Sequence, residues 1–231
     1  MEKIKKFIYL QIVFLFFVVF ISGCATKKEP PKVSVPDGVV GFLDYRQYPD
    51  GKKYGVVFVV SNNYSGEVVL NAQGKSEKIT IKPKQIKEFK TELKLTVGNK
   101  VQIKAGDKTQ EITIKYDTPQ QFALGFVDTP GKMFQDTTPF MATRSGKGNY
   151  ISFYHIAKTP EASYEFPGPD TLWYAVSFKN KMTIKDTDGL IVIKEKPLTP
   201  RQIYYITTYF YDTDYNYLGG IQAWEAKYIK E

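Results

Sequence analysis

The chain has 231 residues, with 32 Lys and Arg against 24 Asp and Glu and a formal net charge of +8. The basic residues are scattered in runs of no more than two, which excludes the concentrated basic stripe of a nucleic-acid surface. A single cysteine excludes an internal disulfide, and an aromatic content of 15% set among Val, Ile and Thr favours strands over helices.

Lys3, Lys5 and Lys6 precede a stretch from Phe7 to Ile21 that is apolar apart from Gln11. A charged start followed by a greasy run is the pattern of an export signal, and the run is shorter than the roughly 20 residues a membrane-spanning helix needs. It ends in Ile21, Ser22, Gly23 and Cys24. This run resembles the lipobox of bacterial lipoproteins, an aliphatic residue, a small residue, Gly or Ala, then Cys. The resemblance implies that residues 1–23 are a signal peptide cut just before Cys24, that a diacylglycerol is joined to the Cys24 sulfur, and that the new amino terminus is acylated, with palmitate for example. A membrane is then a partner through the acyl chains on Cys24. Each buried methylene contributes about 0.8 kcal/mol, and two or three chains anchor far more durably than one.

Residues 24–36 are short, polar and proline-bearing and read as a lipidated tether. Ala25, rather than Asp, follows the cysteine. The lipoprotein resemblance then implies an extracytoplasmic place in a bacterial cell envelope, favouring the outer membrane where there are two. Loss of Lys3, Lys5, Lys6 and Glu2 with the signal leaves a mature net charge of +6.

Residues 37–117 alternate strand-like runs with turns. The runs are Val39 to Tyr45, Tyr54 to Ser61, Glu67 to Ala72, Ser76 to Ile81, Gln85 to Leu95, Lys100 to Ala105 and Thr109 to Tyr116. Turn residues stand between them at Pro49-Asp50-Gly51, Asn62-Asn63, Gln73-Gly74, Gly98-Asn99 and Gly106-Asp107. Seven short strands at this spacing predict an antiparallel β-sandwich. The apolar strand ending at Asn62 and the later turn at Pro83 resemble the bacterial surface version of the immunoglobulin-like fold.

Residues 118–231 predict a second sandwich, with strands at Phe122 to Val127, Tyr150 to Ile156, Leu172 to Phe178, Lys181 to Lys185, Gly189 to Lys194, around Tyr204 to Phe210, and Gly219 to Ile229. The boundary falls at Asp117-Thr118-Pro119. Leu198, Pro200 and Tyr204 have the spacing L-x-P-x-x-x-Y, followed by Ile206, Thr208 and Phe210 on alternate positions. This resembles the structural corner of fibronectin type III domains, and implies that the Tyr204 hydroxyl bonds back to the backbone and pins a loop. The fold expected is therefore all-β, two small antiparallel sandwiches after a signal and a tether. Asp128 to Asn149 and Lys158 to Pro169 are longer than a plain sandwich requires, and long loops on a rigid scaffold often carry binding.

The only histidine is His155, inside an expected strand. No G-x-S-x-G, no metal-type His or Cys cluster and no glycine-rich phosphate loop occurs, so neither catalytic residues nor a cofactor nor a metal is expected. Asp186, Asp188, Asp212 and Asp214 form two D-x-D pairs, read as turn formers rather than calcium ligands because no third acid follows at the required spacing. If Tyr204, Ile206, Thr208 and Phe210 face the core, alternation turns Tyr205, Tyr209 and Tyr211 outward, with Tyr215 and Tyr217 close behind. These tyrosines are a candidate binding face, unless another strand, a loop or the first domain covers them. The function expected is a non-enzymatic binding or scaffolding module acting on another envelope protein. A carbohydrate-binding module whose partner is a glycan, and a hydrolase acting on envelope polymers, are the alternatives.

Overall fold

The computed structural model describes residues 37–118, 132–138, 140–141, 151–160, 171–178, 181–182, 184, 190–194 and 197–230. The chain is all-β, with several mostly antiparallel sheets and no α-helix among the described residues. The signal, the tether, the expected strand Phe122 to Val127, Asp186 and Asp188 lie outside the described residues.

In chain order the strands are β1 (Val39–Gln47), β2 (Lys53–Ser61), β3 (Gly66–Ala72), β4 (Lys75–Ile81), β5 (Ile86–Glu88), β6 (Lys100–Ala105) and β7 (Lys108–Thr113). There follow β8 (Met133–Phe134), β9 (Phe140–Met141), β10 (Ile151–Ala157), β11 (Thr171–Ser177), β12 (Lys181–Met182), β13 (Leu190–Lys194), β14 (Ile203–Tyr211) and β15 (Tyr217–Tyr228). They form a three-stranded sheet β1-β2-β5, a four-stranded sheet β4-β3-β6-β7, a six-stranded sheet β13-β11-β10-β14-β15-β8 and the pair β12-β9. The Gln73-Gly74 turn between β3 and β4 has both residues at positive φ, 53° and 75°, as a two-residue hairpin turn matched to strand twist requires.

The three-stranded sheet is buried on both faces. Leu43, Tyr45, Val57 and Val59 join Val68, Leu70, Val101, Ile103 and Ile112 of the four-stranded sheet in one core. The alternate residues Val40, Phe42, Phe58, Val60 and Ile86 join Ile151, Phe153, Tyr174, Val176, Tyr209 and Tyr211 of the six-stranded sheet in a second. Two-sided burial explains why β1 and β2 read as near-continuous apolar runs rather than alternating ones. Phe42 and Phe58 stack at 5.0 Å and 12° in the second core, with Tyr211 4.9 Å from Phe42. A third core, containing Tyr154, Trp173, Tyr204, Ile206 and Phe134, covers the far face of the six-stranded sheet.

Gln85 to Leu95, expected as one strand, is strand only over Ile86–Glu88. Beyond Phe89 the amides of Lys90 and Thr91 donate to the Glu77 carboxylate at 2.9 and 2.8 Å. A side chain there takes the hydrogen bonds a neighbouring strand would have taken. Pairing returns at Leu93, which exchanges both backbone bonds with Gly55 at 2.8 Å.

Phe42→Ala should cost about 3–5 kcal/mol, because it empties a fully buried ring site between two sheets. Urea unfolding followed by near-UV and far-UV dichroism is the measurement, and a loss below about 1 kcal/mol would contradict the shared core.

Candidate functional site

Among the described strands, both sheets of the N-terminal half end in one whose outer edge lacks a partner strand, β1 and β7. Asn62 N–H donates to Gly38 O at 2.8 Å. Antiparallel alternation therefore turns the backbone groups of Gly38, Val40 and Phe42 toward β2 and those of Val39, Gly41 and Leu43 away from it. In β7, the two-residue turn Gly106-Asp107 makes Ala105 and Lys108 the closing pair, so the groups of Thr109, Glu111 and Thr113 face away from β6. These edges of β1 and β7 flank a seam that no described strand fills.

Side-chain amides stitch part of it. Gln110 receives the Gly41 N–H on its Oε1 at 2.7 Å and returns Nε2 to Gly41 O at 3.0 Å, completing the bonds of an absent strand. At position 41 a Cβ would overlap Ile103 Cδ1, so a larger residue there needs the end of the Ile103 side chain to shift. Further along, the β14–β15 turn is inserted. Leu43 N–H donates to Tyr215 O at 3.0 Å. The fully buried Asn216 donates from Nδ2 to Thr113 O at 3.0 Å and accepts Lys115 N–H on Oδ1 at 3.2 Å.

That turn is built by its own aspartates. Asp212 Oδ1 accepts from Asp214 N–H and Asn216 N–H, both at 2.9 Å, and Tyr215 adopts φ +67°. Lys115 pairs with Asp214 and lies 3.7 Å from Asp212. The hydrogen bond that Lys115 donates to the Asp214 carboxylate holds its ammonium above its ordinary range. Asp212 and Asp214 thus close a turn and hold a lysine. No group of three His, Cys, Asp or Glu side chains converges among the described residues.

The tyrosines read as an outward face are turned inward in large part. Tyr209 and Tyr211 are buried in the second core and Tyr215 and Tyr217 pack half-buried against it, while Tyr205 is partly exposed. Alternation was read correctly, since Tyr204 and Ile206 do lie on the opposite face. What covers the tyrosines is the β1-β2-β5 sheet, whose presence no local pattern reveals. Burial raises the Tyr211 and Tyr217 hydroxyls above their ordinary range, and among the described residues Tyr211 Oη has no hydrogen-bond partner. Beneath them Arg46 bridges Asp44 at 3.1 Å and Glu88 at 2.8 Å. Burial pushes both carboxyls up, against the opposing pull of Arg46.

Tyr204 is buried at the foot of β14, and its hydroxyl accepts Thr199 N–H at 2.7 Å. Leu198 packs against the third core and Pro200 is exposed. His155 is buried mid-strand, opposite Thr207 of β14 and Tyr174 of β11. Sequence reasoning passed over Gln110, Asn216 and Arg46. Arg46 left a signal, because Asp44 and Arg46 continue the alternate positions of Val40 and Phe42, the positions that form a buried face.

Where the stitches stop, the seam opens into a groove of about 540 Å³. Its lining includes Val39 of β1, Tyr64 of the β2–β3 loop, Thr109 of β7 and Tyr215, with Asp37 and Asp107 exposed beside them. The volume is within the range of ligand sites, roughly 300–1,000 Å³. No protein-family model matches the chain, and no curated protein matches it either.

Asn216→Ala should lower stability by about 1–3 kcal/mol for each backbone group it leaves unpaired. Tyr211→Phe should be neutral or stabilising, since it removes an unpartnered buried hydroxyl. Thermal unfolding of both variants tests this assignment, and the reverse order of stabilities would refute it.

A pH series isolates the Asp44 cluster. A carboxyl whose folded pKa is raised contributes stability below its unfolded value, and that contribution is lost as pH rises through the folded value. For Asp44 and Glu88 the loss begins near their ordinary values of 3.8 and 4.5 and extends above them. Asp44→Asn is expected to flatten this part of the curve, and an unchanged slope would exclude Asp44 as its source.

Proposed function

We propose that the chain is a lipid-anchored protein of a bacterial cell envelope, a non-enzymatic module that binds or scaffolds another envelope protein through β-sandwich domains of immunoglobulin-like and fibronectin type III-like character. The observation that carries this reading is Ile21-Ser22-Gly23-Cys24, which closes a charged and apolar signal pattern on the chain's one cysteine. The all-β body supports it, because rigid sheets with their edges in a groove form a binding surface without needing reactive side chains. Among the described acidic residues, Asp44 and Glu88 hold Arg46 and Asp212 builds a turn, which favours a structural use of these three over a catalytic one. Burial of Tyr209 and Tyr211 removes the aromatic row that favoured a glycan.

Cells expressing the chain and grown with a clickable fatty acid should label it, and Cys24→Ala should lose both the label and membrane retention. Crosslinking in intact cells followed by detergent extraction should then recover a protein partner that the Cys24→Ala chain fails to hold. Recovery of polysaccharide alone would replace the protein scaffold with a glycan binder. Release of fragments from envelope material by purified protein would establish a hydrolase.

A further inference from the structure

The seam between β1 and β7 is unfilled at one end, and its unpaired groups are main-chain groups. Val39 on one side and Thr109 and Glu111 on the other turn N–H and C=O outward, and no hydrogen bond joins these backbone groups to another described residue. Where the seam is closed, the atoms that close it are amides imitating a strand: Gln110 on Gly41, and Asn216 on Thr113 and Lys115. The groove therefore offers an incomplete strand-pairing surface, with Val39 and Thr109 in its lining. A small apolar ligand would leave those donors and acceptors unused, whereas an extended peptide pairs with them at the repeat of a strand.

The geometry points to this groove as a strand-addition site that receives a short extended segment of a partner protein, carrying a Lys or Arg at the position beside Asp37 and Asp107. The inference rests on the binding and scaffolding reading above and names the chemistry of the partner. Asp37, Asp107 and Lys108 line the groove and all three are exposed, so the two carboxylates outnumber the one ammonium there, and neither Asp37 nor Asp107 forms an ion pair with a described residue. The Tyr64 ring packs over Gly66 and Gly106, and its hydroxyl donates to Glu67 O at 2.9 Å. It is thereby held as a fixed wall for alternate side chains of the incoming strand. The segment is short because the Gln110 stitch at Gly41 blocks continuation toward Leu43.

The test uses the mature chain and a fluorescent six-residue peptide that alternates valine and threonine around a central lysine. Binding is followed by anisotropy, and amide hydrogen exchange is followed at Val39 and Thr109. The peptide should bind and slow exchange at these amides. Methylating alternate peptide nitrogens should weaken binding about tenfold or more, since the pairing is to main chain. Replacing the lysine with glutamate should also weaken it. Thr109→Pro, which removes an outward N–H on an edge where proline is tolerated, should reduce binding while thermal unfolding stays near that of the parent. The methylated peptide provides the same test should that variant fail to fold.

Equal binding of methylated and unmethylated peptides, or no exchange protection, would overturn the proposal. So would concentration-dependent dimerisation lost in Thr109→Pro, which would make a second copy the occupant. If crosslinking recovers the same cellular partner from the parent and from Thr109→Pro, the scaffold reading stands and this groove is not its site. If no partner is recovered from either, the scaffold reading itself fails.

Discussion

The constraint on which the rest of the structure depends is the two-sided burial of β1 and β2. A strand surrounded by apolar neighbours on both faces must still satisfy every backbone donor and acceptor, because an unpaired buried amide costs as much as a lost hydrogen bond. β2 meets this demand with a strand on each side, β1 and β5. β1 has a strand on one side only, and its other edge faces the end of β7. The molecule satisfies that edge with Gln110, Tyr215 and Asn216, and these substitutes bring the β14–β15 turn into contact with the N-terminal half.

Several features follow from that turn. Asp212 shapes it, Asn216 enters the seam, and the tyrosines on the strands leading into and out of it lie against Phe42 and Phe58. The phenolic ends reach the zone where apolar β1 gives way to Asp44 and Arg46, so a polar cluster lies at the margin of an aromatic core. Tyrosine suits such a margin, having an apolar body and a polar tip. A burial of this kind uses tyrosines for cohesion between sheets and removes them from the surface available to a ligand.

The groove is the remainder of the same seam. Evolution of an edge toward closure blunts its tendency to pair with other chains, and here side-chain amides do the blunting over part of its length. At Val39 and Thr109 no such device is described. The edge left open beside a closed one is the part of the seam that the proposed strand addition would use.

The sequence by itself determined the all-β class and strands such as Val39 to Tyr45 and Tyr54 to Ser61, because alternation, β-branched and aromatic composition, and turn residues such as Gln73-Gly74 are local properties of a few consecutive residues. It also placed Tyr204 and Ile206 on one face and Tyr209 and Tyr211 on the other, since side-chain period in a strand is set by the backbone. Only the tertiary structure decided which of those faces meets water. That depended on the β1-β2-β5 sheet, more than a hundred residues away in the chain, which covers Tyr209 and Tyr211 and leaves its own edge to Asn216. Contacts at such separation obey no short-range period. The seam, its amide stitches and its open end were for that reason legible only once the sheets were assembled.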